Sequence, residues 1–215
     1  ELGSVTSPKV ILAVNGLIEK FGYFQKRLMH VFTYASMTRQ LSTDEVKNLG
    51  GQSAWSFTSA DPMGSSVRRL SGTGGDRIMV RNRFTYDPSM EVSGSRIMSV
   101  SNSHISAFSA RFPMLDKVSM EYCWGGRLCL SLNNVFAQGE VAEGLYSACC
   151  QNGLGTAKGT AIGVIAAEKA AQATDSAIDN FIDEEPPKKL PPKSLMYLGA
   201  NGYLRWKEWR AGKEK

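Results

Sequence analysis

What this sequence lacks removes several chemistries before any motif is weighed. Its 215 residues hold only four cysteines and two histidines. Cys123, Cys129, Cys149 and Cys150 include no CxxC pair with zinc spacing, and the adjacent Cys149 and Cys150 are too close for an ordinary bridge. They read as reduced core thiols of a cytoplasmic protein, and no metal site is expected. His30 and His104 stand far apart without a partner signature and read as structural. No serine sits in a G-x-S-x-G elbow, which leaves hydrolase chemistry unsupported. No G-x-G-x-x-G followed by a suitably spaced acid occurs anywhere. No apolar run approaches the roughly 18 residues of a spanning helix, so no membrane partner is expected, and there are no internal repeats. The start, Glu1-Leu2-Gly3-Ser4, has neither a basic region ahead of an apolar stretch nor an initiator methionine. It is no signal peptide and reads as a chain that begins inside something longer.

What is present is an ordinary globular composition. With 42% hydrophobic and 21% charged residues, the chain can bury a core in one large domain or two small ones. The net charge is +5, and much of the excess gathers at Lys188, Lys189, Lys193, Arg205, Lys207, Arg210, Lys213 and Lys215. A terminal basic stretch is usually a solvated surface, and basic residues are not interleaved with aromatics on the expected strands. Nucleic acid is therefore not an expected partner.

Along the chain, Lys9 to Val14 is apolar on both faces and ends in Asn15-Gly16, which predicts a buried parallel strand. Leu28 to Ala35 alternates and predicts a second strand. Ser42-Thr43-Asp44-Glu45 predicts a capped short helix ending near Gly50-Gly51. Ser65 to Leu70 and Arg77 to Arg81, joined by a Gly-rich connection, predict an antiparallel hairpin. Ile97, Val100, Ile105 and Phe108 recur at helical spacing, which predicts a helix between Met90 and Phe112, broken or frayed by its serines and stopped by Pro113. Val118 to Val135 alternates as one or two strands around Trp124-Gly125-Gly126. Gly144 to Cys150 is another buried strand, followed by an Ala-rich helix from about Thr156 to Ile182. Glu184 to Lys193 reads as a linker rich in proline and charge, and a short amphipathic tail with Tyr203, Leu204, Trp206 and Trp209 follows.

The strongest local signal is strand, Gly-rich turn and small-residue helix: Leu145 to Cys150, Gln151 to Gly155, Thr156 to Lys169. Gly153, Gly155, Gly159 and Gly163 remove Cβ atoms where backbone must come close to something. The helix start offers unpaired N–H groups and a positive partial charge, suited to a phosphate or another electron-rich group. Close helix–sheet packing alone would explain the same glycines, and spacing does not choose between the two.

Trp124-Gly125-Gly126, Asn133, Gly139, Gly144-Leu145-Tyr146 and Asn152-Gly153-Leu154-Gly155-Thr156, in that order, resemble the C-terminal block of the D-amino-acid oxidase superfamily. The chain is most similar to glycine and sarcosine oxidases and gamma-glutamylputrescine oxidase. Val10 to Gly16 resembles the strand that precedes the family's substrate domain, and Arg68 with Arg77 to Tyr86 resembles that domain's sheet. The resemblance covers roughly residues 8 to 172.

It implies an α/β (α+β) fold: part of a Rossmann-type FAD-binding domain at about 1–27 and 117–183, and an antiparallel-sheet substrate domain at 28–116, with linker and tail at 184–215. The function implied is part of an FAD-dependent oxidoreductase that oxidises the C–N bond of a small-molecule amine or amino acid to an imine. Gly153, Leu154, Gly155 and Thr156 would lie under the flavin's pyrimidine edge, with Gln151 and Asn152 beside the ring. Ala13, Asn15 and Gly16 would lie near the FAD phosphate and ribose. Trp124 to Arg127 would wall the substrate side, and Arg127 would pair with a substrate carboxylate through its bidentate fork. Some relatives attach flavin covalently through a cysteine near this block, and Cys129 lies close to that place but out of register.

The N-terminal half that carries most FAD contacts in the family is absent from this sequence. It, or a second copy of the chain, is therefore an expected partner. A rival reading is a non-catalytic subunit that gives an interface to a flavoprotein complex. Arg68, Arg69, Arg77, Arg81 and Arg83 are candidates for an anion site, although alternation sends half of them to solvent. Trp55 and Tyr86 would line a cavity or, more simply, pack in the core. Trp206 and Trp209 are expected to pack on the body or on a partner.

Overall fold

The computed structural model describes residues 3–172 and 185–214. The chain divides into two compact units, Glu1–His30 with Leu128–Lys193 and Val31–Arg127 with Ser194–Lys215. The fold is mixed α/β, with one mixed sheet and one larger sheet whose assigned pairs are antiparallel.

The first unit is built on three strands, β1 (Val10–Leu12), β7 (Ala137–Ala142) and β8 (Leu145–Cys149), in the order β1-β8-β7. β1 pairs parallel with β8, Val10 opposite Leu145, while β7 and β8 form an antiparallel pair. The Lys9–Val14 segment is thus a parallel strand, but it is a short edge and not a buried one: Val10 is 44% and Ile11 39% exposed. Helix α3 (Gly155–Ala171) packs on all three strands, and Ile162 and Ala166 meet Ala148 and Phe136. It ends where Gln172 takes a left-handed backbone and its N–H reaches the carbonyls of Glu168 and Lys169. Residues 173–182 of the expected longer helix lie outside the described residues. A second cluster joins Ile18, Leu28, Cys129, Ala137, Cys149 and Cys150.

The expected linker is tied down. Leu190 N–H donates to the Lys26 carbonyl at 2.8 Å, Arg27 Nη1 to the Pro187 carbonyl at 2.5 Å, and Lys188 N–H to Asn133 Oδ1 at 3.1 Å.

The second unit is built on a five-stranded sheet. Its strands are β2 (Leu28–Thr38), β3 (Trp55–Thr58), β4 (Ser66–Leu70), β5 (Arg77–Tyr86) and β6 (Met120–Ser131), in the order β3-β4-β5-β2-β6. The hairpin β4–β5 forms at its Gly-rich connection, Leu70 opposite Arg77. Helix α1 (Thr43–Leu49) starts with a complete capping box between Ser42 and Glu45. Arg39 grips the Glu45 carboxylate through both guanidinium nitrogens at 2.7 and 2.8 Å and, with the Ser42 N–H, holds its pKa at about 2.

Helix α2 (Gly94–Arg111) runs 18 residues unbroken, against the expectation of a frayed one. Two of its serines turn their hydroxyls back into the helix, Ser103 to the Val100 carbonyl and Ser106 to the Asn102 carbonyl, so these do not compete for the ladder. Phe108 and Phe112 close a core over Val67, Ile78 and Val80, while Ile105 faces solvent at 44% exposure. Phe112 caps the helix just ahead of Pro113.

The C-terminal stretch is a full helix, α4 (Lys193–Arg210). β4 pairs with β5 only from Arg77 to Arg81. Beyond that point, α4 side chains supply the missing edge. Glu208 accepts from Phe84 N–H and Arg205 donates to the Phe84 carbonyl; Asn201 accepts from Tyr86 N–H and donates to the Tyr86 carbonyl. A helix thus does the work of a strand on a bare sheet edge.

Candidate functional site

In the first unit, parallel strands β1 and β8 end side by side, and the chain after each forms the candidate site. Such carboxyl ends are where α/β sheets place ligands. After β8, the turn is shaped by three residues in left-handed backbone: Cys150 (φ 62°), Asn152 (φ 52°) and Gly153 (φ 79°). Glycine and asparagine tolerate this region best. Cys150 is held there from the neighbouring loop, where Asn15, itself at φ 49°, accepts the Cys150 N–H at 3.2 Å.

Asn152 is the strap of the turn. Its Oδ1 accepts from Ser131 N–H at 2.8 Å, and its Nδ2 donates to the carbonyls of Val135 at 3.0 Å and Cys150 at 3.2 Å. The side chain is therefore committed to tying β6, the β6–β7 loop and the turn together. Gln151 lies along α3: a Cβ on Gly159 would come within 3.2 Å of its Cγ. Of the four glycines in this stretch, only Gly159 is closely approached, by a side chain. Gly153 is required for its left-handed φ, and a Cβ on Gly155 or Gly163 would meet open space.

Leu154 is the N-cap of α3, with no side-chain cap and 59% exposure. Residues 153–157 and Ala13 are exposed. The first-turn N–H groups of α3 therefore open onto accessible surface beside the loop after β1, the arrangement that favours an electron-rich group. Gly16 is buried behind that loop. A Cβ there would lie 2.8 Å from His30 Nδ1. The His30 ring is fixed by Glu19, whose Oε2 is 2.6 Å from Nε2 and whose Oε1 accepts from Lys26 N–H. Neither Glu19 nor Ser131 carries a sequence signal that marks it; both emerge only from the packing.

Cys129 is 2% exposed. A hydrogen bond with the Cys150 sulfur and burial push its thiol far above the usual range. A protonated, enclosed thiol is a poor nucleophile, which disfavours covalent attachment at this residue.

Trp124 and Arg127 lie on β6 in the second unit. Trp124 is 38% exposed, and Arg127 Nη2 pairs with Glu91 Oε1 at 3.2 Å, both side chains open to solvent. The five expected arginines do not gather into an anion site. Arg69 is buried on the Gly50 and Gln52 carbonyls and Asp76; Arg77 reaches Glu121 and the Thr38 carbonyl; Arg81 reaches Ser66 and lies over Phe84; Arg83 faces Glu208; Arg68 points outward. Trp55 stacks between Phe57 and Phe112, a core role. Tyr86, with Tyr34, Arg96, Tyr197, Asn201 and Arg205, lines a cavity of about 590 Å³. Among the described residues no group of three or more His, Cys, Asp or Glu side chains could hold a metal ion, and no helix is long and apolar enough to cross a membrane.

No protein-family model and no curated protein matches this sequence. Among solved structures, the chain resembles glycine oxidase from Geobacillus kaustophilus at 15% identity and a TM-score of 0.56, over 79% of this chain and 42% of that one. It also resembles glycine oxidase from Bacillus cereus at 19% identity and a TM-score of 0.52, over 83% of this chain and 47% of that one. The chain spans less than half the length of each, and what it shares with them is the fold.

Proposed function

We propose that this chain is the C-terminal part of an FAD-dependent oxidoreductase that removes two electrons and two protons from the H–C–N–H unit of an amine or amino acid, giving an imine that water hydrolyses. The observation that carries the reading is the exposed, uncapped start of α3 beside the loop after β1, in a fold shared with part of two glycine oxidases. That surface fits the group: Gly153 turns the backbone, Gly155 leaves open space, and the N–H groups of Gly155 and Thr156 offer donors to an electron-rich edge. When bound, the flavin supplies the electron-accepting chemistry.

The chain's own residues would orient and stabilise. The α3 start would favour negative charge developing next to it. Asn15 and Asn152 would hold the two loops in register, since their side chains are spent on backbone partners. Arg127, which pairs with the exposed Glu91, is the candidate carboxylate partner. Trp124 would offer an apolar wall.

The test is spectroscopic. Expressed with any coding sequence that precedes it in frame, the protein should show paired flavin absorption bands that bleach when small amines or amino acids are added without oxygen. A colourless protein, or bands that no amine bleaches, overturns the reading.

A further inference from the structure

A surface helix normally turns its apolar stripe to the protein and its polar face to water. α4 does the reverse. Asn201, Arg205 and Glu208 face inward onto the backbone of β5, and Glu208 is 2% exposed. On the arc next to that inward face, at spacings of three and four residues, stand Leu195 (64% exposed), Leu198 (72%), Trp206 (46%) and Trp209 (77%). Gly202 sits between them with nothing within 4 Å of where a Cβ would be. The stripe is therefore continuous and open along the helix.

Its border is cationic. Lys207 Nζ lies 5.7 Å from the Tyr203 ring and 5.8 Å from the Trp206 ring, and the Arg210 guanidinium lies 5.1 Å from Trp206. Lys213 follows one turn on. The acids of this segment are turned away: Glu208 is buried, and Glu214 accepts from the Asp61 N–H.

We propose that α4 docks the chain on an anionic lipid surface. The helix would lie in the plane of the interface, its leucines and tryptophans at the headgroup boundary and Lys207, Arg210 and Lys213 against lipid phosphates. Tryptophan and tyrosine beside basic residues are the side chains that settle at that boundary. Charge decides between occupants. A second copy laid on the same stripe would bring a second set of the same cations to the contact, whereas an anionic leaflet neutralises them. The helix lies on the membrane and does not cross it, consistent with the absence of a spanning helix among the described residues.

The full chain is tested by co-sedimentation with vesicles of equimolar phosphatidylcholine and phosphatidylglycerol, with vesicles of phosphatidylcholine alone, and by tryptophan emission. The expected result is binding to the anionic vesicles with a blue shift, weakened by salt and by Lys207→Gln with Arg210→Gln. The double variant Leu198→Ser with Trp209→Ser keeps the net charge and changes only exposed side chains. It should lose about tenfold or more in vesicle affinity, from the burial of two large apolar groups, with an unchanged melting curve. Three outcomes overturn the proposal: no sedimentation with anionic vesicles, binding that this double variant leaves intact, or a lipid-free dimer that the variant dissolves.

Discussion

A Cβ built on Gly16 would lie 2.8 Å from Nδ1 and 2.9 Å from Cε1 of His30, and 3.3 Å from Cβ of Cys129. The ring cannot move freely, because Glu19 holds its far nitrogen. Gly16→Ala should therefore destabilise the protein by about 1–3 kcal/mol, the usual cost of overpacking, visible as a lower midpoint in urea at unchanged slope. At the other histidine, burial acts on charge. His104 is 1% exposed, with Nδ1 2.8 Å from Ser36 Oγ, and burial, with a smaller push from Arg83, holds its pKa down to about 4. The sign follows from proton counting. Between about pH 6.5, where an unfolded histidine titrates, and pH 4, the unfolded chain binds a proton that the native one refuses. This group's contribution is complete above that window and is lost as pH falls through it, by up to about 3 kcal/mol. Thermal melts from pH 7 to pH 4 should show the decline, and His104→Leu should flatten it while lowering the midpoint at pH 7.

At the scale of elements, the turn between β8 and α3 takes three of its side-chain hydrogen bonds from Asn152. Asn152→Ala removes bonds to Ser131 N–H and to the Val135 and Cys150 carbonyls and leaves an alanine at φ 52°. The expected loss is about 3–5 kcal/mol, from unpaired backbone groups together with left-handed strain. Asn152→Gly relieves the strain but not the bonds, so it should be about 1 kcal/mol milder. Equal losses in chemical denaturation would show that backbone strain plays no part. Helix α2 gives the contrary lesson about local signals. Serines that look like breakers in sequence are harmless once their hydroxyls bond within the helix, and the apolar face they interrupt still seats Val100 and Phe108.

For the molecule as a whole, the C-terminal helix α4 matters more than its charge suggests. Without α4, the backbone groups of Phe84 and Tyr86 that Glu208, Arg205 and Asn201 satisfy would form a bare sheet edge. A chain ending at Pro192 should elute as aggregate and lose its cooperative melt, because an open edge invites pairing with another chain. A monomeric, cooperatively melting truncation would show that α4 is only an appendage.

Much of the fold could be read in one dimension. Alternation marked β2, the Gly-rich connection marked the β4–β5 hairpin, the Ser42–Glu45 pair marked α1, and Asn-Gly-Leu-Gly after an apolar run marked the turn into α3. These signals are local: alternation, capping and turn chemistry act between residues a few positions apart. The resemblance in motif order pointed to the glycine-oxidase type of fold that the solved structures share. What sequence could not decide was where side chains separated by a hundred residues meet. Which backbone groups Asn152 ties together, whether five arginines converge or scatter, and whether α4 turns its tryptophans inward or outward are settled by distant contacts. Glu208 illustrates the reason. In sequence it is one charge in a solvated basic tail; in the structure it is buried, because the N–H of Phe84 needs an acceptor where β4 has ended.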